Sequence, residues 1–152
     1  MSQIRTIRQL QKLAIPVEEA WGFFSRPENL VKITPASLDF KITSELNGEE
    51  IYTGQLITYK VRPLLGIGLI WVSEITHVER HKLFVDEQRK GPYKLWHHEH
   101  HFKPVNGSTE ITDIVQYKLP FGILGNLGLP IVEKQLKGIF SYRRRKVEEM
   151  FI

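Results

Sequence analysis

Cysteine is absent from the 152-residue chain, which excludes a disulfide framework and any zinc site built from thiolates. A long hydrophobic run is absent as well. The longest apolar stretch, residues 63–72, is too short to cross a bilayer and contains two glycines. Residues 1–16 hold no apolar run of the length that a signal peptide needs. We therefore expect no membrane span and a cytoplasmic location.

A strong excess of charge is also missing, because 21 Lys and Arg residues stand against 17 Asp and Glu residues, for a net charge of +4. The one dense basic run, residues 142–146, is followed at once by Glu148 and Glu149. This pattern is typical of a solvated helix face rather than a phosphate-binding patch. The glycine-rich stretch 122–128 matches neither of the common phosphate-binding loops. We expect no nucleic-acid partner and no cofactor.

The hydrophobic pattern changes period along the chain and predicts one α+β domain over residues 1–152. A strand is predicted over 3–14, and two short helices over 17–25 and 27–33. From 38 to 120 the chain predicts strands joined by short turns, as in an antiparallel meander. A long amphipathic helix over 127–151 would bury an apolar face on that sheet, made of Val132, Leu136, Ile139, Phe140, Val147 and Met150.

Four of the six histidines lie within "WHHEHHF", residues 96–102. Side chains alternate between the two faces of a strand. The face that carries Trp96 and Phe102 is the better candidate for the interior, and it also carries His98 and His100. The opposite face, pointing to water, would then carry His97, Glu99 and His101.

The dipeptide Asn106-Gly107 predicts a two-residue type I′ hairpin. The hairpin register would place His100 opposite Asp113, close enough for a hydrogen bond. It would also pair His98 with Val115, Trp96 with Tyr117, and Lys103 with Glu110. The turn at Gly91-Pro92 joins this strand to the one before it. If alternate residues keep to the same side of the sheet across this turn, Phe84, Asp86 and Gln88 also lie on the inner face, with Asp86 near His98.

Three kinds of chemistry can be considered for this inner face. A metal site is not predicted, because no third histidine points the same way. His98, His100 and Asp113 are candidates for proton transfer, although no nucleophile motif stands beside them. Apolar binding needs only a cavity with a few polar anchors. For any single aromatic residue, ordinary core packing explains its place on the inner face better than ligand binding does. The apolar inner residues are Trp71, Phe84, Trp96, Phe102, Tyr117, Leu136 and Phe140.

The sequence resembles ligand-binding proteins of the SRPBCC superfamily, the START and birch-pollen-allergen-like group that includes polyketide cyclases. The resemblance rests on "IPVEEAWGFFSRPENLVKITP", "FVDEQRKGPYKLWHHEHHF", "TDIVQYKLPFG" and "FSYRRRKVEEMF", in that order. It implies a helix-grip fold, in which a seven-stranded antiparallel sheet wraps around the C-terminal helix over a hydrophobic cavity. On the matching positions, the cavity would be lined by Trp96, His98, His100, Phe102, Asp86, Gln88 and Asp113. Members of the group bind lipids, hormones and polyketides, and only some catalyse a reaction.

Three hypotheses follow. The preferred one is a carrier or sensor of a hydrophobic small molecule, which predicts a cavity of about 300–1,000 Å³. The second is a cyclase, aldol or hydrolase-type enzyme that uses a histidine as general base and an aspartate to orient it. The third is a partner-binding module that uses residues 121–130 as an exposed apolar rim. The oligomeric state does not follow from the sequence.

Overall fold

The computed structural model describes residues 3–63 and 66–151. One antiparallel sheet contains seven strands in the order β1-β7-β6-β5-β4-β3-β2. The strands are β1 (Arg5–Leu13), β2 (Lys41–Ile42), β3 (Leu56–Val61), β4 (Leu69–Glu79), β5 (Leu83–Lys90), β6 (Leu95–Val105) and β7 (Ser108–Lys118). The α-helices are α1 (Val17–Phe24), α2 (Gly122–Leu127) and α3 (Leu129–Met150), and 3-10 helices span Pro27–Ile33 and Ala36–Leu38. The predicted helix-grip architecture is confirmed.

The sheet curves around α3. Two register shifts in the pairing of β4 with β5, at Val72/Ser73 and Ile75/His77, supply part of this bend because a bulge kinks the strand that carries it. Helix α3 buries Leu136, Phe140 and Val147, the apolar face predicted from helical spacing. In the part of the chain that is described, no helix has the length and apolarity of a membrane span.

Three details differ from the sequence prediction. The strand expected from residue 38 is reduced to Lys41–Ile42, because Leu38 ends a 3-10 helix and Asp39 takes a left-handed conformation (φ 46°). The long helix is found close to its predicted bounds, but a short helix that was not predicted, α2, precedes it over Gly122–Leu127. Met150 was expected on the buried face but is 42% exposed. Residues 64 and 65, in the turn predicted after β3, lie outside the described residues.

The buried side chains form two groups, one toward each end of α3. Trp21 of α1 lies in the first, where it makes edge-on contacts with Phe84 and Phe102. Leu136 and Phe140 pack with Trp96, Val115 and Tyr117 in the second. The polar residues of the inner face lie between these two groups, so the fold places them under the middle of α3.

Candidate functional site

The β6–β7 hairpin has the register that its turn predicts. Asn106 and Gly107 both have positive φ, 50° and 81°, as a type I′ turn requires. Opposite pairs are His100 with Asp113, His98 with Val115, Trp96 with Tyr117, and Lys103 with Glu110. Every cross-strand pair predicted for this hairpin is confirmed.

Strand β5 brings a second carboxylate to the same face. Asp86 lies opposite His98, and Phe84 lies opposite His100, as the parity of the turn at Gly91-Pro92 predicts. Two imidazoles on β6 are thus flanked by one carboxylate on β5 and one on β7. Because these four side chains are all largely buried, their polar atoms must satisfy one another or a ligand.

The hydrogen bonds cross diagonally, which corrects the predicted His100–Asp113 bond. His98 Nε2 lies 2.8 Å from Asp113 Oδ1, and His100 Nε2 lies 2.6 Å from Asp86 Oδ2. The directly opposite pair is longer, with 3.4 Å between His100 Nδ1 and Asp113 Oδ1. His98 Nδ1 is 3.9 Å from Asp86 Oδ2. Each imidazole therefore has a carboxylate near both of its nitrogens.

The pKa values of these groups follow from burial and from the neighbouring charges. Burial lowers the pKa of His100 to about 4, and the charge of His98 adds to this effect against the opposing pull of Asp86 and Asp113. Burial alone would raise the pKa of Asp113. The hydrogen bond from His98 and the nearby positive charges outweigh burial and lower it to about 2. The same balance, with the hydrogen bond from His100, lowers the pKa of Asp86. Both carboxylates are therefore ionised at neutral pH.

The two imidazoles are held in place by aromatic stacking as well as by hydrogen bonds. Their ring centroids are 3.7 Å apart, with 23° between the ring planes. Phe84 stacks on the other side of His100 at 3.9 Å. Phe140 of α3 meets the His98 ring at 5.9 Å. Packing on both sides fixes the ring orientations before any ligand arrives.

Arg143 is a member of the site that the sequence prediction missed. It belongs to the basic run 142–146, which was expected to be solvated, yet it faces the interior below α3 beside Asp86 and His100. Burial lowers the pKa of Arg143, against the opposing effect of the Asp113 and Asp86 charges. A signal for it exists in the sequence, because positions 136, 140, 143 and 147 follow one helical stripe.

Two adjacent cavities lie between the sheet and α3. The larger has a volume of about 160 Å³ and the smaller about 70 Å³. Each is below the predicted range of about 300–1,000 Å³. Their shared walls are formed by Leu30, Tyr59, Asp86, His100 and Arg143, which divide the interior. An outer groove shares Leu38, Pro63, Gln135 and Ile139 with the larger cavity.

Most of the predicted site residues line one of these cavities. The larger one is bounded by Trp71, Asp86, Trp96, His98, His100, Leu136 and Phe140. The smaller one is bounded by Phe84, Asp86, His100, Phe102 and Asp113. Tyr117 lies behind Trp96 and packs against it and Tyr93. Gln88 is placed differently from the prediction, because its amide hydrogen-bonds to the backbone N–H and C=O of Tyr93 at 3.0 and 2.6 Å.

The outer face of β6 carries a separate row of hydrogen bonds between histidine and glutamate side chains. His97 Nδ1 lies 2.6 Å from Glu87 Oε1, and His101 Nε2 lies 2.8 Å from Glu99 Oε1. The hydrogen bond from His101 lowers the pKa of Glu99. The side chains of His97, Glu99 and His101 are 28–38% exposed, so the prediction that they turn away from the interior is confirmed.

A metal ion has one candidate location among the described residues. One donor atom each from Asp86, His98 and His100 lies within 4.8 Å of the other two. His100 already hydrogen-bonds to Asp86, and His98 hydrogen-bonds to Asp113, while the guanidinium of Arg143 faces the same cavity. A positive side chain opposes a second cation at this range. The arrangement therefore suits a ligand that accepts hydrogen bonds better than a metal ion.

No protein-family profile matches the chain, and no curated protein matches its sequence. Solved structures match its fold over nearly the whole length. The Zhui aromatase/cyclase from a Streptomyces species superposes with a TM-score of 0.75 at 13% identity, over 97% of this chain and 93% of that chain. A START superfamily protein from Mycobacterium smegmatis gives 0.71 at 11% identity, over 96% of each chain. The major latex-like protein 151 of Panax ginseng gives 0.67 at 12% identity, over 98% of each.

These likenesses establish the fold class. The chain has the helix-grip fold that the START superfamily protein, the latex-like protein and the aromatase/cyclase share. The fold that the resemblance to the SRPBCC superfamily implied is thereby confirmed. A shared fold by itself leaves ligand and reaction to the site.

Proposed function

We propose that this protein binds an amphipathic small molecule between the sheet and α3, as a carrier or sensor. The observation that carries the proposal is the larger cavity, whose wall is mostly aromatic and aliphatic but includes Asp86, His98, His100 and Arg143. A few convergent polar groups in an apolar hollow are typical of small-molecule sites. The cytoplasm remains the predicted compartment.

The cavity wall supplies enough apolar surface for binding. Trp71 and Trp96 contact each other edge-on at 5.3 Å on the sheet side, and Leu136 and Phe140 close the cavity from α3. Each buried methylene of a ligand contributes about 0.8 kcal/mol, so a six-carbon body contributes about 5 kcal/mol before association costs. The apolar wall alone gives weak binding, and the polar cluster must supply the remaining affinity and the orientation.

The predicted site residues take two roles in this proposal. Trp71, Trp96, Leu136 and Phe140 would hold the apolar body, while His98, His100 and Asp86 would orient its polar end. The smaller cavity would extend the site through Phe84, Phe102 and Asp113. Tyr117 and Gln88 would act indirectly, the first by backing Trp96 and the second by holding the backbone of Tyr93.

Native mass spectrometry of protein purified from its own host tests the proposal. We expect a bound organic compound in the wild-type protein. Leu136→Trp should lose it, because the larger side chain occupies the cavity that Leu136 lines. Lys137→Trp is the matched control, since it adds the same side chain at the next, exposed position.

The melting temperature of each variant separates occupation of the cavity from unfolding, since overpacking costs about 1–3 kcal/mol. Equal amounts of bound compound in folded Leu136→Trp and Lys137→Trp would contradict a site in this cavity. Ligand-free wild-type protein would contradict the carrier or sensor role itself.

The enzyme hypothesis is a second candidate, and the 2.6 Å hydrogen bond between His100 Nε2 and Asp86 Oδ2 favours it, because a carboxylate that accepts from one imidazole nitrogen orients the ring of a general base. With a pKa of about 4, His100 is neutral at pH 7 and can accept a proton. Deuterium exchange into the methyl group of acetophenone, followed by NMR, tests for a general base that acts next to a carbonyl. Exchange faster than in buffer, lost in His100→Gln, would support catalysis. Exchange at the buffer rate would leave binding without a reaction.

A further inference from the structure

We propose that Arg143 recognises an anionic oxygen group on the ligand, and that the ligand is a small aromatic acid with a carboxylate or phenolate on about one ring. This inference rests on the proposed function, because it names the chemical class of molecule that the cavity takes.

The first observation is an unsatisfied donor. Arg143 Nε is buried and has no hydrogen-bond partner among the described residues. Within residues 3–63 and 66–151, no carboxylate oxygen lies within 4.0 Å of its guanidinium nitrogens. A buried polar group without a partner keeps an uncompensated desolvation cost, and this cost is larger when the group is charged. A ligand that accepts a hydrogen bond from Arg143 would recover this free energy.

The second observation is that the neighbouring carboxylates already have donors. Asp86 accepts from His100, and Asp113 accepts from His98. Their charges act on Arg143 only from a distance, by raising its pKa. The buried donor without a partner at the wall shared by the two cavities is therefore the Arg143 guanidinium. The matching ligand group is an acceptor, and a negatively charged oxygen forms the stronger bond with a guanidinium.

The third observation is the shape of the free donor group. In arginine, Nε and one terminal nitrogen form a planar fork that matches the two oxygens of a carboxylate. The guanidinium carbon lies 5.3 Å from the ring centroid of Phe140, within the range of a cation–π contact. Phe140 thus supports the guanidinium from the same helix, while its fork can take a carboxylate.

The volume and the lining of the larger cavity indicate the size and shape of the apolar part of the ligand. A dry apolar cavity of about 150 Å³ in another protein holds one benzene molecule. The larger cavity here measures about 160 Å³. Its aromatic wall is made of Phe40, Tyr59, Trp71, Tyr93, Trp96 and Phe140. Edge-on contacts with such rings favour a flat aromatic body over a long alkyl chain.

Calorimetric titration with benzoate and with benzyl alcohol tests the inference. The two probes share a ring, and only benzoate carries a charge. We expect benzoate to bind about tenfold or more tightly than benzyl alcohol, the effect of one or two charge-assisted hydrogen bonds. In Arg143→Met the benzoate affinity should fall by a similar factor, while the benzyl alcohol affinity should change less than about threefold. Arg145→Met removes the same charge at an exposed position and should leave both affinities unchanged.

Arg143→Lys guards against misfolding of the methionine variant, because it keeps the positive charge and removes the fork. It should bind benzoate with intermediate affinity. Equal affinity of wild-type protein for both probes would overturn the role of Arg143 but leave apolar binding standing. Binding of neither probe at millimolar concentration would overturn both this inference and the proposed small aromatic site. A bound compound detected in protein from its own host would then show that the proposed function stands with a different ligand.

Discussion

The imidazole rings of His98 and His100 stack at 3.7 Å while their hydrogen bonds go to strands on opposite sides of β6. His98 bonds to Asp113 on β7, and His100 bonds to Asp86 on β5. Three strands are thereby joined through one stacked pair. A positive charge on the His98 ring opposes protonation of His100 and so contributes to the lowered pKa of His100.

The first prediction concerns the acid stability that His100 controls. Its pKa is about 4 in the native state against an ordinary 6.5. Between these values the unfolded chain binds a proton that the native protein does not, so stability rises with pH there. As the pH falls from 6.5 to 4, wild-type protein should lose unfolding free energy relative to His100→Gln, by up to about 1.4 kcal/mol per pH unit.

Urea unfolding at pH 7, 6, 5 and 4 measures this difference. His77→Gln is the control, because His77 lies exposed on the sheet surface and tests for any general effect of removing an imidazole. A constant difference between wild type and His100→Gln over this pH range would show that the native His100 titrates as it does in the unfolded chain.

The second prediction concerns Asp113, whose native pKa of about 2 lies below the ordinary 3.8. A carboxyl group with a lowered pKa stabilises the native state above its ordinary pKa, and this stability is lost as the pH falls through the native value. Asp113→Asn should therefore reduce the unfolding free energy at pH 7 by on the order of 2 kcal/mol. The difference from wild type should shrink as the pH falls from 4 to 2.

Denaturant unfolding across pH 2–7 measures this effect. Asp39→Asn removes an exposed carboxylate that pairs with Arg62 and Lys41, and such surface pairs contribute at most about 1 kcal/mol. If Asp113→Asn behaves like Asp39→Asn at pH 7, the buried hydrogen bond from His98 does not stabilise the native state.

The third prediction compares two glycines. Gly107 has φ of 81°, and an added Cβ there would meet no atom within 4 Å, so Gly107→Ala should cost about 1 kcal/mol through the backbone alone. Gly138 lies within α3, also with open space at the Cβ position. Gly138→Ala should stabilise the protein by up to about 1 kcal/mol. Thermal unfolding of both variants checks the opposite signs, and a stabilised Gly107→Ala would be inconsistent with the type I′ turn.

The fourth prediction concerns the opening of the larger cavity. The Gln135 side chain donates a hydrogen bond to the Pro63 carbonyl, and both residues line the cavity and the outer groove. Gln135→Ala should raise the association rate of benzoate several-fold, because it removes the bridge between α3 and the segment after β3. Stopped-flow quenching of Trp71 and Trp96 fluorescence measures the rate. Lys134→Ala, at a neighbouring exposed position, should leave the rate unchanged, and an unchanged rate in Gln135→Ala would place the opening elsewhere.

The register of the site could be predicted from the sequence because two independent signals agree. Alternation assigned His98 and His100 to one face of β6, and the Asn106-Gly107 turn aligned that face with Asp113. A shift by one residue would turn all of these side chains outward. Backbone periodicity and turn chemistry are local properties, so a single sequence contains them.

The hydrogen-bond partners of His98 and His100 could not be predicted in the same way. Opposite residues on adjacent strands are close enough to bond, but side-chain rotamers decide between the opposite and the diagonal partner. His100 hydrogen-bonds to Asp86 rather than to Asp113, because its ring is held in one orientation by stacking between His98 and Phe84. The volume of the cavity also depends on how side chains from separate elements fill the interior, and no local pattern records it.

Arg143 was missed for a different reason. The helical spacing that places it on the buried face was present in the sequence, but the charge of the surrounding residues was given more weight. The run of basic residues and the glutamates after it indicated a solvated face. In the structure, Arg143 lies on the same face of α3 as Phe140 and Val147, as the spacing of these three positions along a helix requires. Charge composition describes a segment as a whole, whereas burial is decided position by position around the helix.

The order of strands also bears on how the chain reaches its native state during synthesis. Strand β1 pairs along its full length with β7, and the paired positions, such as Arg5 with Tyr117, lie roughly a hundred residues apart. Strand β1 must therefore stay without this neighbour until the residues of β7 have been translated. Chaperones that shield exposed strand edges would have their longest opportunity to act on this segment.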